Sequence, residues 1–160
     1  MNSNRTWTRR LVHAGVLVGL VAAMAVLAAA SSGASAPTAD MAVTALKGPS
    51  APVATGTLVW FTQVIRNNGP EKVEMDTVPR VHGGRIRRAV CDLGISGDGP
   101  DCEYGFVPAG ARLVTKYGVK VTSDEGRLVF AAGVRTEQPE LDDNPFNQYR
   151  SVSVPIRESD

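Results

Sequence analysis

The chain has 160 residues, 43 % of them hydrophobic and 21 % charged, and its 17 basic and 16 acidic side chains leave a formal charge of +1. That balance excludes an intrinsically disordered chain, a collagen-like repeat and a polytopic membrane protein, and it lacks the basic excess of a dedicated nucleic-acid binder. The averages conceal a division, because the first 36 residues differ sharply from the rest.

Arg5, Arg9 and Arg10 make a positive start with no acidic residue before Asp40, and Ala14 to Ala30 then runs for seventeen residues without a charge. Ser31-Ser32-Gly33 breaks the run, and Ala34-Ser35-Ala36 presents the small residues that a signal peptidase inspects. Residues 1–36 therefore read as a signal peptide, cleaved after Ala36 or another small residue within 29–36. The alternative is an uncleaved anchor, since seventeen residues sit at the short edge of a bilayer span. The expected location is secreted or cell-surface, through the general secretory route, touching membrane only through this segment if it is retained. Removing 36 residues leaves 124, with 14 basic and 16 acidic groups and a single tryptophan, Trp60. A chain of that size buries roughly two-thirds of its unfolded surface and needs no metal to fold.

Residues 37–39 read as a short linker, 40–157 as one domain and 158–160 as a tail. Met41 to Leu46 predicts a first strand, closed by Gly48-Pro49 and Pro52. Thr57 to Arg66 (TLVWFTQVIR) is the strongest strand signal, rich in aromatic and β-branched types. Asn67-Asn68-Gly69-Pro70 then turns the chain, with Gly69 free to take a positive φ. Val73, Met75 and Val78 mark a third strand that Pro79 ends, and Arg85 to Asp92 and Glu103 to Val107 predict two more. After the Pro108-Ala109-Gly110 turn, Arg112 to Thr122 places Leu113, Thr115, Tyr117, Val119 and Val121 on one face. Asp124-Glu125-Gly126 turns into Arg127 to Thr136, and the polar loop Asp142 to Gln148 precedes a last strand, Tyr149 to Ile156. Seven or eight short strands at this spacing predict an all-β, antiparallel β-sandwich. A closed barrel would need an even strand spacing and a ligand-holding interior that the pattern does not show.

Both cysteines, Cys91 and Cys102, survive processing. An even pair in a small exported domain predicts a disulfide, and two thiols with no nearby histidine make a poor zinc site.

A set of landmarks in order carries a resemblance. Ala39-Asp40-Met41-Ala42-Val43 is followed by Gly56, Val59, Phe61 and Ile65, then by Asn67-Asn68-Gly69-Pro70, Cys91, Cys102 and Pro108-Ala109-Gly110, and finally by Asp143-Asn144-Pro145 and Asn147 before a valine-rich strand. Over about 40–156 the chain resembles the conserved repeat domain of bacterial surface and secreted proteins called domain of unknown function eleven. The resemblance implies an immunoglobulin-like sandwich in the cell envelope or outside it, with no established chemistry. Two departures stand out: Gln63 falls where the pattern prefers an apolar inward residue, and the chain holds one copy of a domain usually found in tandem.

The sequence offers little for catalysis. Proton shuttling at neutral pH needs a histidine, and only His82 remains after processing, before Gly83-Gly84 in an expected loop. No nucleophile elbow, zinc-protease motif or phosphate-binding loop is present. Glu74 and Asp76 share a strand face, where such pairs ordinarily solvate an outer surface rather than cleave glycosides. No enzyme activity and no cofactor are expected.

Three features point to binding. Arg80, Arg85, Arg87 and Arg88 surround His82 and suit an anionic polymer, or equally a solvated sheet edge that discourages aggregation. Asp142, Asp143 and Asn144, with Asp98 and Asp101 in nearby loops, form a weak Ca²⁺ candidate, though the spacing is that of a turn rather than an EF-hand. Leu58-Val59-Trp60-Phe61 is apolar on both faces, so Trp60 is either covered or open to a partner. The expected function is a non-catalytic envelope or extracellular module for adhesion, assembly or protein contact. Its partner is a protein or wall polymer, and no nucleic acid is expected. The alternative is a soluble secreted ligand-binding or inhibitor protein that uses the loops at one end of the sandwich.

Overall fold

The computed structural model describes residues 38–93, 95–96, 99–137 and 142–157. The signal peptide read over 1–36, the 158–160 tail and Asp98 lie outside the described residues. Ten strands occur among the described residues: β1 (Met41–Lys47), β2 (Val53–Ala54), β3 (Leu58–Asn67), β4 (Val73–His82), β5 (Gly84–Cys91), β6 (Ile95–Ser96), β7 (Cys102–Val107), β8 (Arg112–Val121), β9 (Arg127–Thr136) and β10 (Tyr149–Arg157). They form a four-stranded sheet in the order β1-β3-β8-β5 and a six-stranded sheet in the order β2-β10-β9-β4-β7-β6. Every pairing is antiparallel except the short β2–β10 pair.

The predicted antiparallel sandwich is the observed fold, and the longer strands fall within a few residues of their predicted places. β4 departs from expectation. It runs through Pro79, which sits opposite Ala132 of β9. On the other side, β7 accompanies β4 only between Val73 and Asp76. A proline is tolerated where one side of a strand has no neighbour, so Pro79 does not end the element. His82 is accordingly the exposed last residue of β4 rather than part of a loop.

Period-two alternation builds the core. Phe61, Tyr117, Val119, Leu128 and Phe130 centre one apolar cluster, while Met41, Val43, Ile65, Met75 and Leu113 centre another. Phe61 stacks on Phe130 at 4.6 Å between centroids, and Tyr117 leans on the same ring at 5.1 Å. Between Phe61 and Ile65 on β3 lies Gln63, fully buried. Its amide nitrogen donates to the Gly133 carbonyl at 3.1 Å and its amide oxygen accepts from the Tyr117 hydroxyl at 3.1 Å. Burying a polar group is costly unless it is paired, and here both ends of the amide are. The amide thus forms a polar link between the two sheets.

One end of the sandwich is tied by side chains bonding to backbone. Asn67 is buried; its amide nitrogen donates to the carbonyls of Glu71 (2.8 Å) and Val107 (3.0 Å), and its oxygen accepts from the Gly69 amide (3.0 Å). Gly69 does not use the positive φ expected of it. A Cβ there would lie 2.7 Å from the Asp40 nitrogen, so glycine is required by close approach of the two backbones. Asp142 accepts from the Met41 amide (3.0 Å), the Asn144 amide (2.9 Å) and the Gln148 side chain (2.7 Å). Ala39 is buried and bridges Asp142.

The predicted disulfide is present. Cys91 closes β5 in one sheet and Cys102 opens β7 in the other, with Cα atoms 5.8 Å apart. The link staples the two layers across a sequence separation of 11 residues. In the chain-entropy account, a loop of that size stabilises the fold by about 3 kcal/mol. Replacing both cysteines by alanine should therefore lower the free energy of unfolding by about 3 kcal/mol in denaturant titration. A loss below about 0.5 kcal/mol would show that the staple adds nothing to the sheet packing.

Burial also pushes the Tyr117 phenol well above its ordinary value of 10.0, against the opposing pull of the nearby Thr77 and Thr115 hydroxyls. Burial moves Tyr104 in the same direction. The folded state resists ionisation, so the unfolded chain releases its phenolic protons first. The stability contributed is complete below pH 10.0 and declines as pH rises above it. The denaturation midpoint should hold up to that pH and then fall, with a smaller fall in Tyr117→Phe; equal falls in both proteins would contradict the assignment.

Candidate functional site

The residues that β3 and β8 do not bury define the site. Their register pairs Leu58 with Lys120, Trp60 with Gly118, Thr62 with Lys116, Val64 with Val114 and Arg66 with Arg112. These pairs point away from the core, because their alternate neighbours Phe61, Ile65, Leu113, Tyr117 and Val119 are buried. On β5, Arg85 lies beside Lys120, Arg88 beside Gly118 and Val90 beside Lys116. On β1, Lys47 lies beside Thr62. The outer face of the four-stranded sheet thereby carries Lys47, Arg66, Arg85, Arg88, Arg112, Lys116 and Lys120, all exposed. No acidic residue occupies an outward position on these four strands. Asp92, just past β5, bonds through its backbone to Val114 and limits the face at that corner.

Trp60 lies in the middle of this field. A Cβ on Gly118 would stand 3.2 to 3.4 Å from three atoms of its six-membered ring. The indole therefore lies down across β8, packed on a glycine that leaves room for it, while the residue stays 42 % exposed. Its strand is interior to the sheet, flanked by β1 and β8, yet this side of it is open.

The structure divides the residues that sequence reasoning grouped. Arg85, Arg88 and Trp60 share the face. Arg87 is the extra residue of a bulge between Ile86 and Arg88, and with Arg88, Gly99 and Pro100 it lines a shallow cleft. Arg80 does not join them: it pairs with Ala131 in the six-stranded sheet, because β4 and β5 belong to different layers. The outward side of that sheet is mixed in charge, and there Arg135 meets Asp76 at 3.0 Å, the one ion pair among the described residues. Glu74 and Asp76 lie on this outward side, separated by a bulge. The proposed Ca²⁺ ligands are also redirected. Asp142 is buried and spends its oxygens on three internal donors, while Asp143 and Asn144 are exposed. No group of three or more metal-ligating side chains occurs among the described residues.

Sequence reasoning missed Lys47, Arg66, Arg112, Lys116 and Lys120. The signal for three of them was present, since Arg112, Lys116 and Lys120 alternate with the predicted inward face of β8. What the sequence could not supply was the register that sets them beside Trp60 and the β5 arginines. Sheet-edge protection accounts for charges on β5, which is an edge strand, but not for those on β8, which is interior.

Half-exposure of Trp60 has a measurable consequence. Trp60→Ser should cost about 1 kcal/mol or less, whereas Phe61→Ala, one residue away and facing inward, should cost about 3–5 kcal/mol in the same denaturation assay. Equal losses would place Trp60 in the core and close the face as a contact surface.

The fold has counterparts among solved structures. The CARDB domain of a Pyrococcus furiosus protein, crystallised in complex with di-metal ions, is similar with a TM-score of 0.56 at 17 % identity, over 77 % of this chain and 97 % of that one. The solution structure of the same domain is similar with a TM-score of 0.56 at 16 % identity, over 77 % and 99 %. No protein-family model and no curated protein matches the chain. At these identities the likeness establishes the fold: an immunoglobulin-like β-sandwich.

Proposed function

We propose that the protein is an exported, non-catalytic immunoglobulin-like module that holds an envelope or extracellular macromolecule against the outer face of its four-stranded sheet. One observation carries this reading. Seven exposed cations surround a flat, half-exposed tryptophan on a face whose outward strand positions hold no carboxylate. A chain whose domain is close to neutral has concentrated one sign of charge on one layer, which favours capture of an oppositely charged partner. The signal-like first 36 residues, the lack of catalytic motifs and the resemblance to the surface-protein repeat domain support the same reading. The alternative of a freely secreted inhibitor working through its end loops draws on Phe146, which is 94 % exposed. Around it, however, Asp142 and the Asn147 amide are committed to internal bonds, with Asn147 donating to Asp40 at 2.7 Å.

Fractionation of producing cells tests the proposal. The protein should begin near Pro37 and partition with the envelope, and Lys116→Glu combined with Lys120→Glu should release it several-fold into the medium while leaving its melting temperature unchanged. Unaltered partitioning of the double variant, or recovery of the wild type from the cytoplasm, would contradict it.

A further inference from the structure

We infer that the partner on this face is an extended acidic polysaccharide, its carboxylates met by the strand cations and one of its sugar rings laid on Trp60. The inference rests on the proposed docking face and names what occupies it. The pairing of the strands sorts the outward residues into five rows: Leu58–Lys120–Arg85, Trp60–Gly118–Arg88, Lys47–Thr62–Lys116–Val90, Ala45–Val64–Val114 and Ala42–Arg66–Arg112. Four of the five contain at least one cation. Lys120 and Arg85, like Arg66 and Arg112, are cross-strand neighbours about 5 Å apart, and Arg112, Lys116 and Lys120 follow one another along β8 at about 13 Å intervals. Cations so close together would repel each other in an unoccupied surface, and none has a carboxylate partner among the described residues. The arrangement is complementary to a chain of repeated negative charges laid along the sheet.

The geometry of Trp60 selects among polyanions. Its ring is flat against the sheet rather than raised on a loop, so it cannot enter a bilayer in the manner of an interfacial anchor. The field of cations reaches the middle row, unlike the charge-depleted centre of a protein interface. A flat indole with an open, electron-rich face is a platform for the C–H face of a pyranose ring, whose hydrogens carry partial positive charge. Row spacing lets cations flank that platform on both sides along the strand: Lys120 and Arg85 lie one row away in one direction, Lys116 and Lys47 one row away in the other. A nucleic acid strand offers the same two elements, a ring to stack and a charged backbone, and the test must separate it.

Polygalacturonate is the probe, with dextran as the neutral control and single-stranded oligothymidylate as the competing polyanion, each titrated against the protein released from the envelope, in which removal of residues 1–36 leaves Trp60 as the single tryptophan. Polygalacturonate should bind and quench the Trp60 emission, dextran should not bind, and the complex should weaken steeply as salt rises from about 50 to about 200 mM. Trp60→Ala should weaken binding by about tenfold. Lys116→Glu with Lys120→Glu should weaken it by more, with this double variant melting no lower than the wild type and Trp60→Ala remaining folded at the temperature of the titration. Binding of dextran equal to that of polygalacturonate, an affinity untouched by Trp60→Ala, or tighter binding of oligothymidylate would overturn the inference. If polygalacturonate fails to bind while the double lysine variant is still released from the envelope, the polysaccharide is wrong and the docking face stands. If neither effect is seen, both fail.

Discussion

The pairing of β3 with β8 sets both the core and the outer face of the four-stranded sheet. Nine consecutive residue pairs run from Leu58 with Lys120 to Arg66 with Arg112. Because successive side chains alternate between faces, this one register decides both what is inside and what is outside. It brings Phe61 against Tyr117 and Ile65 against Leu113 in the core, and it brings Trp60 over Gly118 among the lysines on the surface. A slip of one residue would bury Lys116 and Lys120 and expose Tyr117 and Val119. The core and the candidate site are therefore two readings of a single alignment, and neither can drift without the other.

Polar groups fix that alignment where apolar packing alone would be indifferent. Gln63 joins β3 to Tyr117 of β8 and to the Gly133 carbonyl of β9, so one amide registers three strands in two layers. At the end of the sandwich, Asn67 and Asp142 bond mainly to backbone rather than to other side chains. This explains why the landmarks of the sequence occur together. The Asn-Asn-Gly-Pro turn, the Pro-Ala-Gly turn and the Asp142–Gln148 loop are distant in the chain but meet at one end. There Asn67 exchanges backbone bonds with Gly110 and Ala111, and Asn68 and Asp143 bond to Asp40 and Ala39. The disulfide then closes the opposing layers through β5 and β7, which share few other direct links.

Much of this was legible in the sequence. Alternation gave the inward face of β8, and the turns ending at Gly110 and Gly126 stand where they are expected, with φ of +73° and +86°. Two cysteines in a chain with an export-like start pointed to their pairing. The rest depended on long-range information. The two-residue strands β2 and β6 are too short to show a period, and Pro79 reads as a strand end unless the neighbouring strand is known to stop short. The arginines at 80 and at 85–88 are adjacent in sequence but separate in space, because the chain crosses from one sheet to the other at Gly83-Gly84. Local proximity was a poor guide to the site; alternate positions on two strands far apart in the chain were the better one, and they become visible only once β3 and β8 are aligned.

Lysine reactivity reports directly whether the outer face of the four-stranded sheet is covered in the cell envelope. The chain contains four lysines, of which Lys47, Lys116 and Lys120 lie on the outer face of the four-stranded sheet and Lys72 lies elsewhere, with its ammonium 4.9 Å from the centre of the Phe106 ring. Amine acetylation followed by mass spectrometry, carried out on the envelope-associated protein and on the same protein released by high salt, reads all four at once. Lys47, Lys116 and Lys120 should be shielded in the associated state and freed by salt, with Lys72 equally reactive in both. Uniform labelling of the four in both states, or protection confined to Lys72, would contradict the assignment of this face as the contact surface.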